Sequence, residues 1–467
     1  MRPAADEPAG GAAPSYARCL GFVRAAAAGF PDARKGRNTS HTVPDAVMSA
    51  FAVFFLQSPS WLSCQRAMQD EKGASNALSL FGIGAVPTDN CVRSLLDPAP
   101  PDLLHGAYRG LLGLLEGSGA LERYRVLGGL TPVALDGTDF HSSEKISCPR
   151  CLVTRHRDGR TVFSHKAVTP VIVAPGVRQA VPLRPEFVGP QDGAEKQDCE
   201  LNASKRWLDD MSPWLRGARA VLLGDDLYAH APFCRKVLLN GLHFIFTCLR
   251  ESHKAAYEWL DLLEPGDFQT VSETRREADG HKRTWTVRFA QGVPLSGEDG
   301  ALRTNWIELT VTDAKKRQAY RNCWATDLDV DAGNAVELAA CGRSRWTIEN
   351  GNNNTLKTKG YHLDHNFGHG KEHLANTLAS LNILAFLTHT VLELTERHYR
   401  LIRDRLGRRR EFFLHLHVLT VYHLFASWDD FEDFVMKALQ LGPHAPAAPP
   451  ELTKKGLVRR YAKRRGL

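Results

Sequence analysis

The sequence predicts an α/β protein of several parts, in which a mixed sheet carries an inserted antiparallel β segment and has helical regions before and after it. Short apolar runs alternate with segments of helical spacing over residues 126–262. Strands that alternate apolar and polar residues follow over residues 285–328, whereas the flanking segments show only helical spacing. Hairpin strands followed by strand–helix–strand units are typical of a mixed sheet with helices on its faces.

The length and composition fit such an arrangement. The chain has 467 residues, of which 43% are hydrophobic and 24% charged, the proportions of an ordinary globular protein with a sizeable core. Its net charge is +7, and basic residues cluster over residues 403–410 and 454–465. Such clusters favour a polyanionic partner such as nucleic acid. For the second cluster, a solvated tail that aids solubility is an equally good interpretation.

Residues 1–40 contain few hydrophobic residues and are predicted to be disordered. Residues 41–125 are predicted to form several short helices, the first of which begins near Pro44. The apolar run over residues 46–56 is too short to cross a bilayer, and the N-terminus does not resemble a signal peptide. We therefore expect a cytoplasmic protein without a membrane partner. The ten cysteines are too scattered for a disulfide scaffold.

Residues 126–262 are predicted to form the first part of the sheet. Strands are expected over residues 133–137, 161–176, 181–188, 220–226 and 243–249. Helices are expected over residues 196–215 and from His230 onwards. The resulting order is β-β-β-α-β-α-β.

The remaining chain is predicted to form four segments. Residues 263–330 are the antiparallel β insertion with one solvated face, and residues 331–372 return to the core with a helix over residues 335–350. Residues 373–442 are a helical C-terminal domain, which begins within a long amphipathic helix over residues 371–402. Residues 443–467 are a linker and a basic tail.

Three carboxylates are candidates for a shared site. Asp136 and Asp225 each end a predicted buried strand, and Glu349 lies in the basic, amide-rich stretch RSRWTIENGNNNTLKTK. The carboxyl ends of adjacent strands face one crevice, and a helix packed across them could add the glutamate. Converging carboxylates must be protonated or hold cations, and an oxygen-only set favours Mg²⁺ or Mn²⁺. Two such ions could drive phosphodiester displacement.

Other interpretations of these residues stay open at this point. An isolated aspartate at a strand end is often a turn former or a helix cap. Asp139 and Asp226 are close competitors for the two aspartate positions, although Asp136 and Asp225 follow the apolar runs more directly.

A second candidate site is a structural zinc site. Cys148 and Cys151 have the spacing of a zinc knuckle, and His141 and His165 are the nearest further ligands, with Cys199 as another candidate. The loop that carries the cysteines is longer than a usual hairpin loop, so a metal could order it. The alternative is a pair of reduced thiols. The histidines at 362, 365, 369 and 373 are interpreted as DNA contacts or loop packing.

Four stretches carry a resemblance to a known family: ALDGT (134–138), EFVGPQDGAEKQDCELNASKRWL (186–208), GDDLYAHAPF (224–233) and RWTIENGNNNTLKTKGYHLDHNFGHG (345–370). Over residues 40–400 the chain resembles the DDE transposases of bacterial insertion sequences, in the cut-and-paste branch with a β-strand insertion in an RNase H-like core. The family pattern Tyr-x2-Arg-x3-Glu-x6-Lys fits at Arg345 and Glu349. Gly342 stands at the tyrosine position and Leu356 at the lysine position, with Lys357 one residue late.

The resemblance implies excision and integration of DNA at terminal inverted repeats, by hydrolysis and then strand transfer. Asp136, Asp225 and Glu349 correspond to the catalytic triad that holds two Mg²⁺ or Mn²⁺ ions. DNA contacts are expected from the following residues: Arg343, Arg345, Asn353, Lys357 and Lys359. The implied partners are double-stranded DNA with inverted repeats, a target DNA and a second copy of the chain in a synaptic complex. The protein would associate with the bacterial nucleoid, and residues 41–125 would bind DNA.

Rival functions remain. The same fold supports a metal-dependent nuclease without strand transfer. A domesticated, non-catalytic DNA-binding protein and a zinc-dependent nucleic-acid-binding module are the non-enzymatic alternatives.

Overall fold

The computed structural model describes residues 14–36, 39–69, 71–190, 197–277 and 279–444, with the side chains of residues 71–74 left out of the description. Six helices come first: α1 (Tyr16–Ala28), α2 (Val43–Phe55), α3 (Trp61–Gln69), α4 (Glu71–Phe81), α5 (Asp89–Leu96) and α6 (His105–Gly117). Helix α1 corrects the prediction that all of residues 1–40 are disordered. One face of α1 is buried, and the Tyr16 hydroxyl donates to the Leu80 carbonyl oxygen at 2.9 Å. Helix α1 is rich in alanine and other apolar residues, and the packing of its apolar face orders it.

The central region follows as β1 (Thr131–Ala134), β2 (Gly137–Ser143), β3 (Leu152–Arg155), β4 (Thr161–Val168), β5 (Val171–Ala174), β6 (Val177–Pro182), β7 (Glu186–Val188), α7 (Glu200–Gly217), β8 (Ala220–Gly224), α8 (Ala231–Leu239), β9 (His243–Thr247) and α9 (Lys254–Asp261). The next strands are β10 (Gln269–Arg276), β11 (Lys282–Pro294), β12 (Arg303–Thr312) and β13 (Gln318–Thr326).

The main sheet is mixed and has nine strands, in the order β10-β11-β12-β13-β9-β8-β1-β5-β6. Strands β1, β8 and β9 are parallel neighbours, whereas β5 and β6 add antiparallel strands beside β1. The five strands β6-β5-β1-β8-β9 have the RNase H-like order. The predicted fold class, a mixed sheet with helical regions at both ends, is confirmed.

Two predicted strands are each divided between two sheets. The segment 161–176 was expected to be one strand, but β4 belongs to a smaller sheet of β2, β3, β4 and β7, whereas β5 belongs to the main sheet. The segment 181–188 divides in the same way between β6 and β7. The break in the first case lies at Thr169 and Pro170, where the Thr169 backbone N–H donates to the Asp136 carbonyl oxygen at 3.0 Å. A run of apolar residues cannot show that the chain changes sheets.

The β insertion is antiparallel, as predicted, but it continues the main sheet. Strand β13 pairs with β9 of the core through Trp324 with Thr247 and Ala325 with Phe246. Its first strand, β10, was not predicted. Most residues of β10 are exposed, so they show no apolar alternation.

The C-terminal part is helical, as predicted. It consists of α10 (Ala335–Ser344), a π-helical segment (Ile348–Asn353), α11 (Asn354–Thr358), α12 (Leu374–Thr395), α13 (Arg397–Leu406), α14 (Arg409–Tyr422) and α15 (Trp428–Ala438). The predicted helix 335–350 therefore ends at Ser344, before Glu349. Residues 445–467, and with them most of the predicted linker and basic tail, lie outside the described residues.

Helix α12 corrects the prediction of an amphipathic helix over residues 371–402. It is buried on every side, and it ends at Glu396, whose backbone is extended. By length and composition α12 could cross a membrane, but 94% of its most apolar window is buried within the protein, as in a core helix. It packs against α2, α6 and β6, so helices from the two ends of the chain share one hydrophobic core. The opposite face of the main sheet packs against α10 and Ile348.

Candidate active site and metal centre

The two predicted aspartates lie at the same edge of the main sheet. Asp225 directly follows β8, and Asp136 is two residues beyond the end of β1. These strands are parallel neighbours, and the Leu135 N–H donates to the Leu223 carbonyl oxygen at 2.8 Å. The carboxyl ends of adjacent parallel strands therefore bring Asp136 and Asp225 together, as predicted.

Glu349 reaches this edge from the π-helical segment, which packs against β5 and β6. The Asn353 amide nitrogen, in the same segment, donates to Asp136 Oδ2 at 3.0 Å. The Asn353 amide oxygen accepts from the Thr169 hydroxyl and from the Asn352 amide nitrogen, both at 2.9 Å. π-Helical turns are rare and are frequent at functional sites. Here the π-helical segment places the Asn353 side chain against the Asp136 carboxylate.

The carboxylates share one electrostatic environment. The pKa of Asp136 is raised to about 7, chiefly by burial and in addition by the negative charges of Glu200, Glu349 and Asp225, against the opposing effect of Arg345. Burial also raises the pKa of Asp225, and Glu349 adds to that rise. Within the described residues, however, the oxygens of the triad do not all lie within 4.8 Å of one another. In this structure Arg345 Nη2 donates to Glu349 Oε1 at 2.8 Å.

The two competing aspartates face elsewhere. The Asp226 carboxylate accepts from the Leu249 N–H at 2.7 Å and from the Ser252 hydroxyl, and it lies 3.3 Å from His253 Nε2. It therefore holds the loop after β9. Asp139 is exposed on β2.

A fourth carboxylate, Glu200, was missed in the sequence. It lies in the first turn of α7, where it accepts from the Gly137 N–H at 3.0 Å and from the Tyr228 hydroxyl at 2.9 Å. A Cβ atom at residue 137 would overlap the Glu200 carboxylate, so a side chain there would displace the carboxylate from its present position. Glutamate in a first helical turn is common, and no pattern distinguishes Glu200 from an ordinary one.

The residues predicted to contact DNA differ in their surroundings. Asn353 is buried and bonded to protein groups, and Arg345 faces Glu349, so this structure presents neither side chain outward. Arg343 stacks on Trp285 and Tyr320, with its Cζ at 5.1 and 4.8 Å from the ring centroids. Lys357 is half-buried and Lys359 is exposed. Of the five, Lys359 is the most accessible to a nucleic acid.

A broad open groove of about 1010 Å³ lies beside the π-helical segment. Its basic lining residues are Arg178, Arg275, Arg276, Arg343, Lys359, Arg403, Arg408 and Arg409. Glu277 and Glu393 also line the groove, and Trp346 is 63% exposed at its wall. The sequence pattern did not predict this grouping, because the arginines come from β6, β10, α10 and the α13–α14 region.

The Cys/His cluster is formed by Cys148, Cys151, His165 and His369, whose ligand atoms all lie within 4.8 Å of one another. His165 Nε2 lies 3.4 Å from Cys148 Sγ and 3.5 Å from Cys151 Sγ, and His369 Nε2 lies 3.2 Å from Cys151 Sγ. Burial lowers the pKa of His165 to about 3, so its ring is neutral, the form that binds metals.

The predicted ligand His141 lies outside this cluster, whereas His369, which the sequence suggested as a DNA or packing residue, lies within it. His141 Nε2 lies 3.4 Å from the Ile146 carbonyl oxygen, and its ring packs beside His369 at 4.4 Å between centroids. Cys199 is exposed and is not a member of the cluster. His369 is more than 200 residues from the cysteines, so spacing could not identify it.

No family model matches the sequence, and no curated protein matches it. A solved structure described as the cryo-EM structure of the piggyBac transposase synaptic complex with hairpin DNA is similar to it, with a TM-score of 0.38 and 10% sequence identity. The similarity covers 97% of this chain and 87% of that chain. At this level the similarity carries no conclusion about activity, which has to rest on the residues of the site.

Proposed function

We propose that the protein is a DNA transposase that cuts at terminal inverted repeats and joins the freed ends to a target DNA. The observation that supports the proposal is that Asp136 and Asp225 follow neighbouring parallel strands at one edge of the main sheet, with Glu349 near enough for its charge to raise the pKa of both. Burial raises the pKa of Asp136 and of Asp225, and the charge of Glu349 adds to both rises, so a cation at this edge would favour their ionised forms.

The donors at the site fit Mg²⁺ or Mn²⁺. Asp136, Asp225 and Glu349 supply only carboxylate oxygens, which these hard cations prefer. When bound, two such ions would activate the attacking oxygen and stabilise the leaving oxygen of a phosphodiester. In this structure Arg345 pairs with Glu349, with its Nη2 at 2.8 Å from Glu349 Oε1. We infer that Arg345 becomes available to a phosphate when cations bind the carboxylates.

Other residues of the chain prepare the site for this reaction. Asn353 orients the Asp136 carboxylate, and Glu200 holds the backbone at Gly137. The basic groove beside the π-helical segment offers a path for a DNA backbone. Inverted-repeat recognition, pairing of two copies in a synaptic complex, origin in a bacterial insertion sequence and association with the nucleoid are parts of the proposal that follow from the resemblance.

The direct test uses labelled DNA from both flanks of the coding region, a target plasmid and Mn²⁺ or Mg²⁺. Joined products support transposition, whereas cuts without joining support the nuclease alternative. Binding without cuts in any metal would contradict both and would favour the non-catalytic DNA-binding alternative.

The first prediction concerns the triad. The changes Asp136→Asn, Asp225→Asn and Glu349→Gln should each lower the cleavage rate by about three orders of magnitude, or about 4 kcal/mol of transition-state stabilisation. The matched control is Asp139→Asn, which changes an exposed aspartate three residues from Asp136 and should cleave normally. Normal cleavage by Glu349→Gln would remove the catalytic assignment.

A further inference from the structure

We propose that Cys148, Cys151, His165 and His369 bind one zinc ion, which holds the segment after Glu349 against the small sheet. This inference goes beyond the proposed function and does not depend on it, because a chain that never cut DNA could still bind the ion. It also differs from the expectation drawn from the sequence in its ligand set, its closed geometry and the parts of the chain that it joins.

The spacing of the donor atoms matches tetrahedral zinc. Zinc bonds of about 2.3 Å to sulfur and 2.0–2.1 Å to nitrogen place two sulfurs about 3.8 Å apart and a sulfur and a nitrogen about 3.5 Å apart. The Cys148 and Cys151 sulfurs are 3.9 Å apart, and the three short sulfur–nitrogen distances are 3.4, 3.5 and 3.2 Å. Four of the six pairwise distances therefore fit a tetrahedral zinc ion, and all four ligand atoms lie within 4.8 Å of one another.

The chemistry of the donors selects the ion. Two thiols and two imidazoles form the Cys₂His₂ set typical of structural zinc, whereas Mg²⁺ prefers oxygen. A set of four protein ligands leaves no open position for water or substrate. The cysteines are free thiols, and their sulfurs are far beyond the length of a disulfide bond.

Backbone N–H groups point at both cysteine sulfurs. The Arg150 N–H donates to Cys148 Sγ at 3.3 Å, and the Cys148 N–H donates to Cys151 Sγ at 3.4 Å. The Cys151 N–H donates to the Cys148 carbonyl oxygen at 3.1 Å, which closes the turn. Hydrogen bonds of this kind orient the ligands of a metal ion.

The ion would join segments that are distant in the sequence. The cysteines lie between β2 and β3 and His165 lies on β4, whereas His369 lies in the loop between α11 and α12. That loop is held from its other side by Asp97, whose carboxylate accepts from the N–H groups of residues 371–374. The Trp61 indole N–H also donates to the Phe367 carbonyl oxygen at 2.6 Å. Zinc would thus complete the link between the small sheet, the N-terminal helices and the segment that follows Glu349.

The test is the metal content of the full chain, produced with zinc in the medium and purified without chelators. Mass spectrometry of all metals should find about one zinc per chain. The variants Cys148→Ser/Cys151→Ser and His369→Ala should lose it. The matched controls are His141→Ala, beside the cluster, and Cys199→Ser, outside it, and both should keep the full zinc content.

The outcome for His369→Ala and His141→Ala decides between the two ligand sets. Retention of zinc in the first, or its loss in the second, would overturn the assignment. Folded wild-type protein that holds no zinc, or holds iron in its place, would overturn the proposal itself.

A second measurement does not require the variants to fold. Removal of zinc from the wild-type protein with a chelator should lower the midpoint of thermal unfolding, and addition of zinc should restore it. Cobalt(II) in the emptied protein should give the visible absorption of a tetrahedral site with two sulfur ligands. An unchanged unfolding midpoint together with octahedral cobalt would contradict a structural site. None of these measurements uses DNA, so their failure would leave the proposed function untouched.

Discussion

The surroundings of Asn353 in the structure differ from those that the sequence suggested. In the sequence it belongs to a run of amides that suggested contacts with DNA. In the structure its side chain is buried, its nitrogen donates to Asp136 and its oxygen accepts from Thr169 and Asn352. Hydrogen bonds to a metal-binding carboxylate orient it and affect metal affinity and activity.

We therefore predict that Asn353→Ala lowers the rate of DNA cleavage and the affinity for Mn²⁺ by about 10- to 100-fold. The physical reason is that the Asp136 carboxylate loses the donor that orients it. The rate is measured on cleavable end DNA, and the Mn²⁺ affinity by titration calorimetry. Asn354→Ala, an exposed amide in the neighbouring helix α11 that does not line the basic groove, is the matched control and should change neither quantity. Equal effects of the two changes would show that the amides act together on DNA.

At the scale of elements, the stretch around Glu349 is built differently from the single helix that its spacing predicts. Helix α10 ends at Ser344, and a π-helical segment carries Glu349 and Asn353. Gly342 faces the indole of Trp324 on β13. A Cβ atom at Gly342 would lie 2.8 Å from Cε2 and Nε1 of that ring. Packing therefore favours glycine at this position, because α10 lies directly on the β insertion.

This contact predicts that Gly342→Ala lowers the free energy of unfolding by about 1–3 kcal/mol, because overpacking forces the helix away from the sheet. The measurement is equilibrium unfolding in urea. Gly113→Ala in α6, where a Cβ atom meets nothing within 4 Å, is the control and should stabilise the protein by about 0.4–1 kcal/mol. A stabilising effect at both positions would mean that α10 and Trp324 are not in close contact.

At the scale of the whole molecule, the helices before and after the sheet form one body. His389 on α12 lies between them, fully buried. Its Nε2 donates to the Phe55 carbonyl oxygen on α2 at 2.9 Å, and its Nδ1 accepts from the Tyr399 hydroxyl on α13 at 2.7 Å. Both nitrogens of the neutral ring therefore have partners. Burial holds the pKa of His389 well below its usual value of 6.5, and Arg409 and Arg403 act in the same direction.

The sign of the pH dependence follows from this depressed pKa. The unfolded chain binds a proton at His389 near pH 6.5 and the folded chain does not, so this stabilisation is present above pH 6.5 and is lost as the pH falls. His389→Gln cannot titrate. We predict that it is less stable than the wild type at pH 7.5, and that the difference shrinks by roughly 1.4 kcal/mol per pH unit below 6.5.

Urea unfolding at pH 7.5, 6.5 and 5.5 measures this difference. His415→Gln, at an exposed position on α14, is the control and should keep the pH dependence of the wild type. A constant difference between His389→Gln and the wild type across this range would show that His389 is not held neutral.

Local sequence patterns identified the central strands of the core and the two acidic residues that follow them. Strand periodicity and apolar runs are local properties, so they predicted β1, β8, β9 and the three longest strands of the insertion. They also located Asp136 and Asp225, and the Cys148–Cys151 spacing marked the cysteine half of the second site.

Other features depend on contacts between distant segments, and these features became visible in the folded structure alone. The division of residues 161–176 between two sheets, the burial of α12 on all sides, the approach of Glu200 to Gly137 and the choice of His369 over His141 are of this kind. In each case the partner lies tens to hundreds of residues away or on another sheet. A side chain's role there is set by which groups surround it in space, and local spacing along the chain does not contain that information.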